Sequence, residues 1–313
     1  MKRTGNVAAA IAAAVMLAGG FQSFAATNET ETLKVGSYNI RCPSDKGDNA
    51  WERRRSDLVS LVRTLDFDVF GLQEVAPRQA KYLRKALPQY KMVGEFRNAD
   101  RKSGEASPVC YRKDRFEAID KGTFWLSETP DVPGSRSWKT SCPRVCSWLL
   151  LKDKKNGKTF CFANAHTDHR SALARLEGMK LVIKRMRDFA PPGTPIIFTG
   201  DHNCLENSKP AKAVAEILKD SIYVTETAPK GPWRTYTGWT WLDNEYSAAD
   251  ALKLQQSERN KPLSSSKTGY RIDYIYVSKG IRVTAYAVHA DPRPGVKLYP
   301  SDHFPVSASV ILP

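Results

Sequence analysis

The chain has 313 residues, of which 41% are hydrophobic and 26% charged. That composition supports a sizeable core in one large domain or two small ones, and it excludes a disordered tail, a collagen-like fibre and a multi-span membrane protein. The net charge of +15 suits a polyanionic partner such as nucleic acid, anionic lipid or acidic glycan, although the basic residues are spread along the chain and form no block.

Lys2 and Arg3 precede an Ala-rich run from Val7 to Ala18, no charge returns until Glu29, and Ser23 and Ala25 place small residues on either side of Phe24. This is the pattern of a secretory signal peptide over residues 1–25. It predicts export to the periplasm or the extracellular space, with no stable membrane span after cleavage. The six cysteines, Cys42, Cys110, Cys142, Cys146, Cys161 and Cys204, would then meet an oxidising compartment. Their spacing leaves the pairing open, a local bridge between Cys142 and Cys146 included.

Residues 33–40 read as a strand. Residues 51–65 read as a helix, with Leu58, Val59, Leu61, Val62 and Leu65 on one face and Asp48 and Asn49 as candidate caps. A strand over 68–73 ends at Glu74, and Pro77 opens a second helix that runs to residue 87. Strands follow over 109–112, 116–126, 145–152 and 159–165. A long amphipathic helix over 170–189 leads into a short buried strand over 196–199. A helix over 210–218 precedes closing strands at 271–277, 282–288 and 304–311. Between them, residues 225–268 are long, irregular and rich in Trp, Tyr, Gly and Ser, the character of a functional loop. Strands interleaved with helices predict two packed sheets with helices outside, in one domain over residues 30–313.

Polar residues recur at the strand ends. Asn39 ends the first strand and Glu74 follows the second; Asn164, His166 and Asp168 end another; Asp201 and Asn203 follow the strand over 196–199; Asp273 lies in 270–277; Asp302 and His303 precede the last strand. In extended chain, residues two apart share a face, so each set projects together, and neighbouring strand ends converge on one rim. Carboxylates and amides without a thiolate cluster favour a hard cation, Mg²⁺ or else Mn²⁺ or Ca²⁺. Histidines beside carboxylates supply oriented donors or bases, so the combination fits metal-assisted attack of water on phosphorus. Neither a Gly-x-Ser-x-Gly elbow nor a phosphate-cradling Gly-x-x-x-x-Gly-Lys loop is present.

Seven segments in order, Ser37-Tyr38-Asn39-Ile40-Arg41, Leu72-Gln73-Glu74-Val75, Tyr111-Arg112-Lys113-Asp114-Arg115-Phe116, Asn164-Ala165-His166-Thr167-Asp168-His169, Gly200-Asp201-His202-Asn203, Arg271-Ile272-Asp273-Tyr274-Ile275 and Ser301-Asp302-His303-Phe304-Pro305-Val306, resemble the endonuclease/exonuclease/phosphatase superfamily, relatives of pancreatic-type deoxyribonuclease. Phe124-Trp125-Leu126-Ser127-Glu128-Thr129-Pro130 is similar to a bacterial, often exported branch of metal-dependent hydrolases. The resemblance implies an α/β fold, a four-layered α/β/β/α sandwich of two packed mixed β-sheets flanked by helices, and an active site at the sheet edge. It implies Glu74 as principal metal-binding acid with Asn39 and Asp302 beside it. Asp201 and Asn203 would orient the attacking water and the phosphate, His303 with Asp273 would form a hydrogen-bonded pair, and His166 would be the other site histidine, oriented by Glu105. The Thr-x-Asp-His variant places Asp168 nearer the site than His169. His202 replaces the family's usual Phe, and strand alternation turns it away from Asp201 and Asn203 into packing.

The function expected from these residues and the resemblance is that of an exported, divalent-metal-dependent phosphoesterase acting on phosphodiesters in a nuclease-like way, as a monomer. Alternatives are a phosphomonoesterase on sugar- or lipid-linked phosphates and a non-catalytic phosphate-binding module. Trp233, Tyr236, Trp239, Trp241 and Tyr246 in the long irregular segment would either stack on a substrate, dip into lipid or pack that segment together.

Overall fold

The first strand, β1 (Leu33–Asn39), pairs in parallel with β2 (Val69–Gln73), so that Asn39 stands beside Gln73 and one step from Glu74. The structure, a computed structural model, describes residues 31–241, 247, 249–250 and 270–313. The signal peptide expected over residues 1–25, and Tyr246, lie outside the described residues. Around the β1–β2 pair, β3 (Tyr90–Val93), β4 (Val109–Arg112), β11 (Arg282–Val288) and β12 (Val306–Ile311) complete a six-stranded sheet in the order β11-β12-β1-β2-β4-β3.

The second sheet repeats the arrangement. It comprises β5 (Phe116–Trp125), β6 (Val145–Asp153), β7 (Thr159–His166), β8 (Ile196–Asp201), β9 (Lys219–Asp220) and β10 (Asp273–Val277), in the order β5-β6-β7-β8-β10-β9. Its one parallel pair, β7–β8, sets His166 opposite Asp201. Each sheet therefore has two adjacent carboxyl ends, and β1 packs on β8 and β10 while β2 packs on β7 and β8. Ligands bind beyond the carboxyl ends of parallel strands, where the helices and loops that follow leave a crevice. Here two such crevices face each other and become one.

Helices α1 (Trp51–Leu65) and α2 (Pro77–Ala86) cover the first sheet; α3 (Ala172–Phe189) and α4 (Lys209–Ala215) cover the second; the short α5 (Ser221–Val224) follows β9. Three apolar interfaces result. Leu58, Val62 and Leu65 meet Phe70 and Leu72; Val35, Val69, Leu149, Phe162 and Ile275 fill the space between the sheets; Met179, Val182 and Met186 meet Phe198 and Tyr274. This is the four-layered α/β/β/α sandwich, and residues Glu31–Pro313 form one unit.

A polar tie fixes the two sheets at the site end. Asn164 on β7 donates through Nδ2 to Leu72 O (2.8 Å) and Pro108 O (3.1 Å), and its Oδ1 accepts from Gln73 Nε2 (2.7 Å). A Cβ at Gly71 would lie 2.2 Å from Asn164 Oδ1, so only glycine permits this approach. Gly200 serves the same end within the second sheet: φ is 154°, and a Cβ would lie 1.9 Å from Ala165 O.

Some local expectations fail for identifiable reasons. Asp48 and Asn49 do not cap α1; they sit in a 3-10 turn, Gly47–Asn49, and Ala50 occupies the cap position with no side-chain hydrogen bond. The buried Arg54 guanidinium organises that connection instead, donating to Asn49 O, Ile40 O, Pro300 O, Arg41 O and Cys42 O. All six cysteines are free, Cys142 and Cys146 included. Among the aromatics, Trp233 is core, Trp241 stacks on Tyr299, and Trp239 lies over the Arg54 guanidinium. Of the four described, only Tyr236 reaches the site.

Candidate active site

The carboxyl ends of β1, β2, β7 and β8 and the segment before β12 enclose a cavity of about 400 Å³ lined by Glu74, His166, Asp201, Asn203, Asp302 and His303 among others. At its floor, Asp201 Oδ2 lies 2.9 Å from Asn39 Nδ2, 3.4 Å from His166 Nε2 and 3.7 Å from His303 Nε2. A single carboxylate oxygen is thus faced by an amide and two imidazoles, all buried.

The strand ends are bent so that their side chains point into this space. Glu74 and Asn203 hold φ values of 61° and 47°, in the left-handed region that non-glycine residues enter only when the surroundings impose it. The Glu74 carboxylate accepts from Cys42 N–H (2.7 Å) and from Asn39 Nδ2 (3.1 Å). Burial works against its charge, but these bonds and the charges of His303 and Arg41 hold it below the usual carboxylate range. Burial and the Asp273 charge push Asp201 up to about 7, with His303 acting in the opposite direction. Asp201 Oδ1 accepts from the Asn203 N–H at 2.9 Å.

The two histidines differ in charge. His303 Nδ1 donates to Asp273 Oδ2 at 2.8 Å. Burial opposes its protonation, yet the Asp273 and Asp201 charges carry it up to about 10, so it is an imidazolium at neutral pH. His166 is held well below its ordinary value by burial and by the Arg144 and Arg97 charges. Asn203 Nδ2 donates both to Thr167 O (3.1 Å) and to His166 Nε2 (2.9 Å), which assigns the neutral His166 proton to Nδ1.

Several expected placements change. Asn39 turns its NH₂ toward Glu74, Asp201 and His303, while its Oδ1 accepts from Arg41 N–H (2.9 Å); in this arrangement it is a hydrogen-bond donor and not an oxygen ligand. Glu105 does not hydrogen-bond His166. It pairs with Arg97 at 2.6 Å and lies with Cys42 Sγ beside the Glu74 carboxylate, the ligating atoms all within 4.8 Å of one another. Asp168 lies outside the cavity lining and is structural. Its Oδ1 accepts from Arg170 N (2.9 Å) and Ser171 N (2.6 Å) at the start of α3, and its Oδ2 accepts from Thr140 Oγ1, Ser141 N and Ser141 Oγ. His169, by contrast, lines the cavity. His202 turns away and stacks between Phe198 and Tyr274, buried, with burial lowering it to about 3.

Arg97 and Arg144 line the cavity without a signal in the sequence, whereas Tyr236 is one of the aromatics that the long irregular segment offers as substrate contacts. The two arginines stand in irregular segments where no periodicity marks them. Tyr236 reaches the site through a bridge to His303, with ring centroids 4.9 Å apart.

The sequence matches the Endonuclease/Exonuclease/phosphatase family over residues 36–303. The chain belongs to that family. Members of that family are phosphoester hydrolases that depend on a divalent metal. Among solved structures it is similar to an endonuclease/exonuclease/phosphatase family protein from Bacteroides thetaiotaomicron, with 33% identity, TM-score 0.77 and coverage of 90% of this chain and 98% of that one. It is equally similar to a mannosyl-6-phosphatase of Bacteroides thetaiotaomicron VPI-5482, at 33% identity and TM-score 0.77, covering 90% of this chain and 100% of that one. Tyrosyl-DNA phosphodiesterase 2 of Xenopus laevis is 26% identical over 211 residues, which are 66% of this chain and 50% of that protein. The chain thus spans about half the length of this curated relative.

The donor set fits the divalent ion of the family. Glu74 and Glu105 bring two carboxylates together at one end of the cavity, and Asp302, raised by burial and the Glu74 charge, lines the same space. Oxygen donors with an open face toward substrate suit a hard cation that keeps part of its shell for water and phosphate.

Proposed function

We propose that this chain is an exported, divalent-metal-dependent phosphoesterase that removes terminal phosphate from carbohydrate-sized substrates. The observation that carries the catalytic reading is the Asp201 oxygen faced by Asn39, His166 and His303 in one buried cavity. A non-catalytic module has no use for a carboxylate buried at such cost between two imidazoles. Preference for a terminal phosphate is supported by the cavity's size, by its three lining arginines and by the end-to-end similarity to the mannosyl-6-phosphatase. A nuclease-like phosphodiesterase is the second reading, favoured by the net charge of +15.

Glu74, with Glu105 and Asp302 beside it, would hold the divalent ion, which supplies Lewis-acid charge to a phosphate oxygen. Asp201, its proton affinity raised toward neutrality, accepts a proton from the attacking water at Oδ2. Asn39 Nδ2 keeps that oxygen in place, and Asn203 positions His166. The His303 imidazolium, its charge and tautomer fixed by Asp273, donates through Nε2 to the developing phosphoryl charge. Export rests on the signal-like residues 1–25.

Purified enzyme is tested with Mg²⁺ on mannose 6-phosphate, p-nitrophenyl phosphate, bis-p-nitrophenyl phosphate, plasmid DNA and RNA, with and without EDTA. EDTA-sensitive release of inorganic phosphate from the monoesters, at least tenfold faster than diester cleavage, is expected. Preferential cleavage of nucleic acid would replace this reading with the second.

A further inference from the structure

Arg144 stands immediately before β6, is 5% exposed, and lines the cavity. It also lines a small recess beside it with Glu74, Glu105, Arg97 and His166. A guanidinium does not give up its proton, so a buried arginine needs either a full set of carbonyl acceptors, as Arg54 has, or an anion.

The other two arginines of the cavity have one. Arg41 binds Asp45 through Nε and Nη2 at 2.8 and 3.2 Å, and Arg97 binds Glu105. Arg144 does not. The closest carboxylate oxygen is Asp168 Oδ2, 3.9 Å from Nε, and that oxygen is already taken by Thr140 Oγ1, Ser141 N and Ser141 Oγ. Arg144 Nε has no hydrogen-bond partner, and Nη2 donates to the neutral acceptor His169 Nδ1 at 2.9 Å. Among the described residues, Arg144 is the cavity arginine whose charge no carboxylate meets in hydrogen-bonding geometry.

The cavity carries the acids Glu74, Glu105 and Asp302 and, beside Glu74, Glu105 and His166 in the adjoining recess, the cationic Arg144 backed by His169. A phosphate seated against His166, Asp201 and His303 would have one oxygen available to the ion that Glu74 and Asp302 would hold. A diester has two non-bridging oxygens, whereas a monoester has three and carries a second negative charge.

From this arrangement we infer that Arg144, oriented by His169, binds the additional anionic oxygen of a phosphate monoester and thereby sets the preference for monoester over diester. The inference rests on the monoesterase reading above and names the residue that enforces it. A planar guanidinium suits a dianionic phosphate better than a point charge does.

The test compares wild type, Arg144→Met and Arg144→Lys on p-nitrophenyl phosphate and bis-p-nitrophenyl phosphate, with inorganic phosphate as competitive inhibitor and thermal unfolding as a check on folding. In Arg144→Met the ratio of monoester to diester kcat/KM is expected to fall about thirtyfold or more, and the inhibition constant of inorganic phosphate to rise tenfold or more. Arg144→Lys, which keeps the buried charge, is expected to fold and to recover part of both. If wild type favours the monoester while the ratio in both variants stays within threefold of it, Arg144 does not read the additional oxygen and only this inference falls. If wild type cleaves diesters alone, the monoesterase reading falls with it.

Discussion

Replacing Asp273 with Asn removes a charge while keeping the shape of the side chain behind His303. Asp273 Oδ2 lies 2.8 Å from His303 Nδ1. At an effective dielectric of about 20, opposite unit charges at that separation attract by about 6 kcal/mol, against roughly 1.4 kcal/mol for one pH unit of proton affinity. Burial of His303 opposes protonation, and the Asp201 charge, 3.7 Å from Nε2, remains in the variant. The His303 proton affinity in Asp273→Asn is therefore expected to fall by about two pH units or more from its value near 10. Activity that needs the imidazolium is present below the histidine pKa and lost above it, so the alkaline limb of kcat/KM moves down by the same interval. At saturating Mg²⁺ the variant should retain activity within about tenfold of wild type near pH 6 and fall about a hundredfold below it at pH 9. Histidine ¹H–¹⁵N correlation spectra follow the titration directly. The stability contribution has the same sign: with its folded pKa raised, His303 stabilises fully below the unfolded value of about 6.5 and loses that contribution as pH rises through about 10. A variant profile that superimposes on wild type, or that drops equally at every pH, would refute the assigned charge state.

Three further outcomes are expected. Asp201→Asn should lower kcat on the order of 10²- to 10⁴-fold while the thermal midpoint stays within a few degrees of wild type, checked by steady-state kinetics and calorimetry. Arg54→Met should destabilise by about 3 kcal/mol or more in urea unfolding, because five carbonyl groups around the β1–α1 connection lose their donor. Asp168→Asn should cost about 1–3 kcal/mol at pH 7, and the difference from wild type should shrink as pH falls below about 3.9, since a carboxyl held below its usual range contributes fully above the unfolded value and loses that contribution as pH falls toward its lower folded value.

Much of the architecture is legible because burial imposes periodicity. The expected helix over 51–65 and the expected strands over 109–112 and 282–288 have the observed bounds. The strand-end residues converge because both sheets contain one parallel pair, a pattern that leaves polar groups just beyond apolar runs. Tyr90–Val93 escapes detection because it is a four-residue strand at the sheet's edge that begins three residues after Leu87. The resemblance alone assigns Glu105 to His166, and a resemblance carries no information about which side of the cavity a loop carboxylate approaches; Glu105 instead pairs with Arg97. Asp168 and His169 exchange places because the carboxylate finds a row of backbone and hydroxyl donors at the start of α3, leaving the following residue to face the cavity. Arg144 is invisible for a related reason: nothing in a sequence distinguishes a buried arginine without a hydrogen-bonded carboxylate from one on the surface.

The central claim, that scattered acids and imidazoles meet around one divalent ion, is tested most directly by anomalous diffraction from crystals soaked in Mn²⁺. The expected result is a single strong peak roughly 2 Å from a Glu74 carboxylate oxygen, inside the cavity bordered by Asp302 and His303, and its loss in Glu74→Gln together with activity. A peak elsewhere on the molecule, or none at Glu74 under conditions where the enzyme turns over, would contradict it.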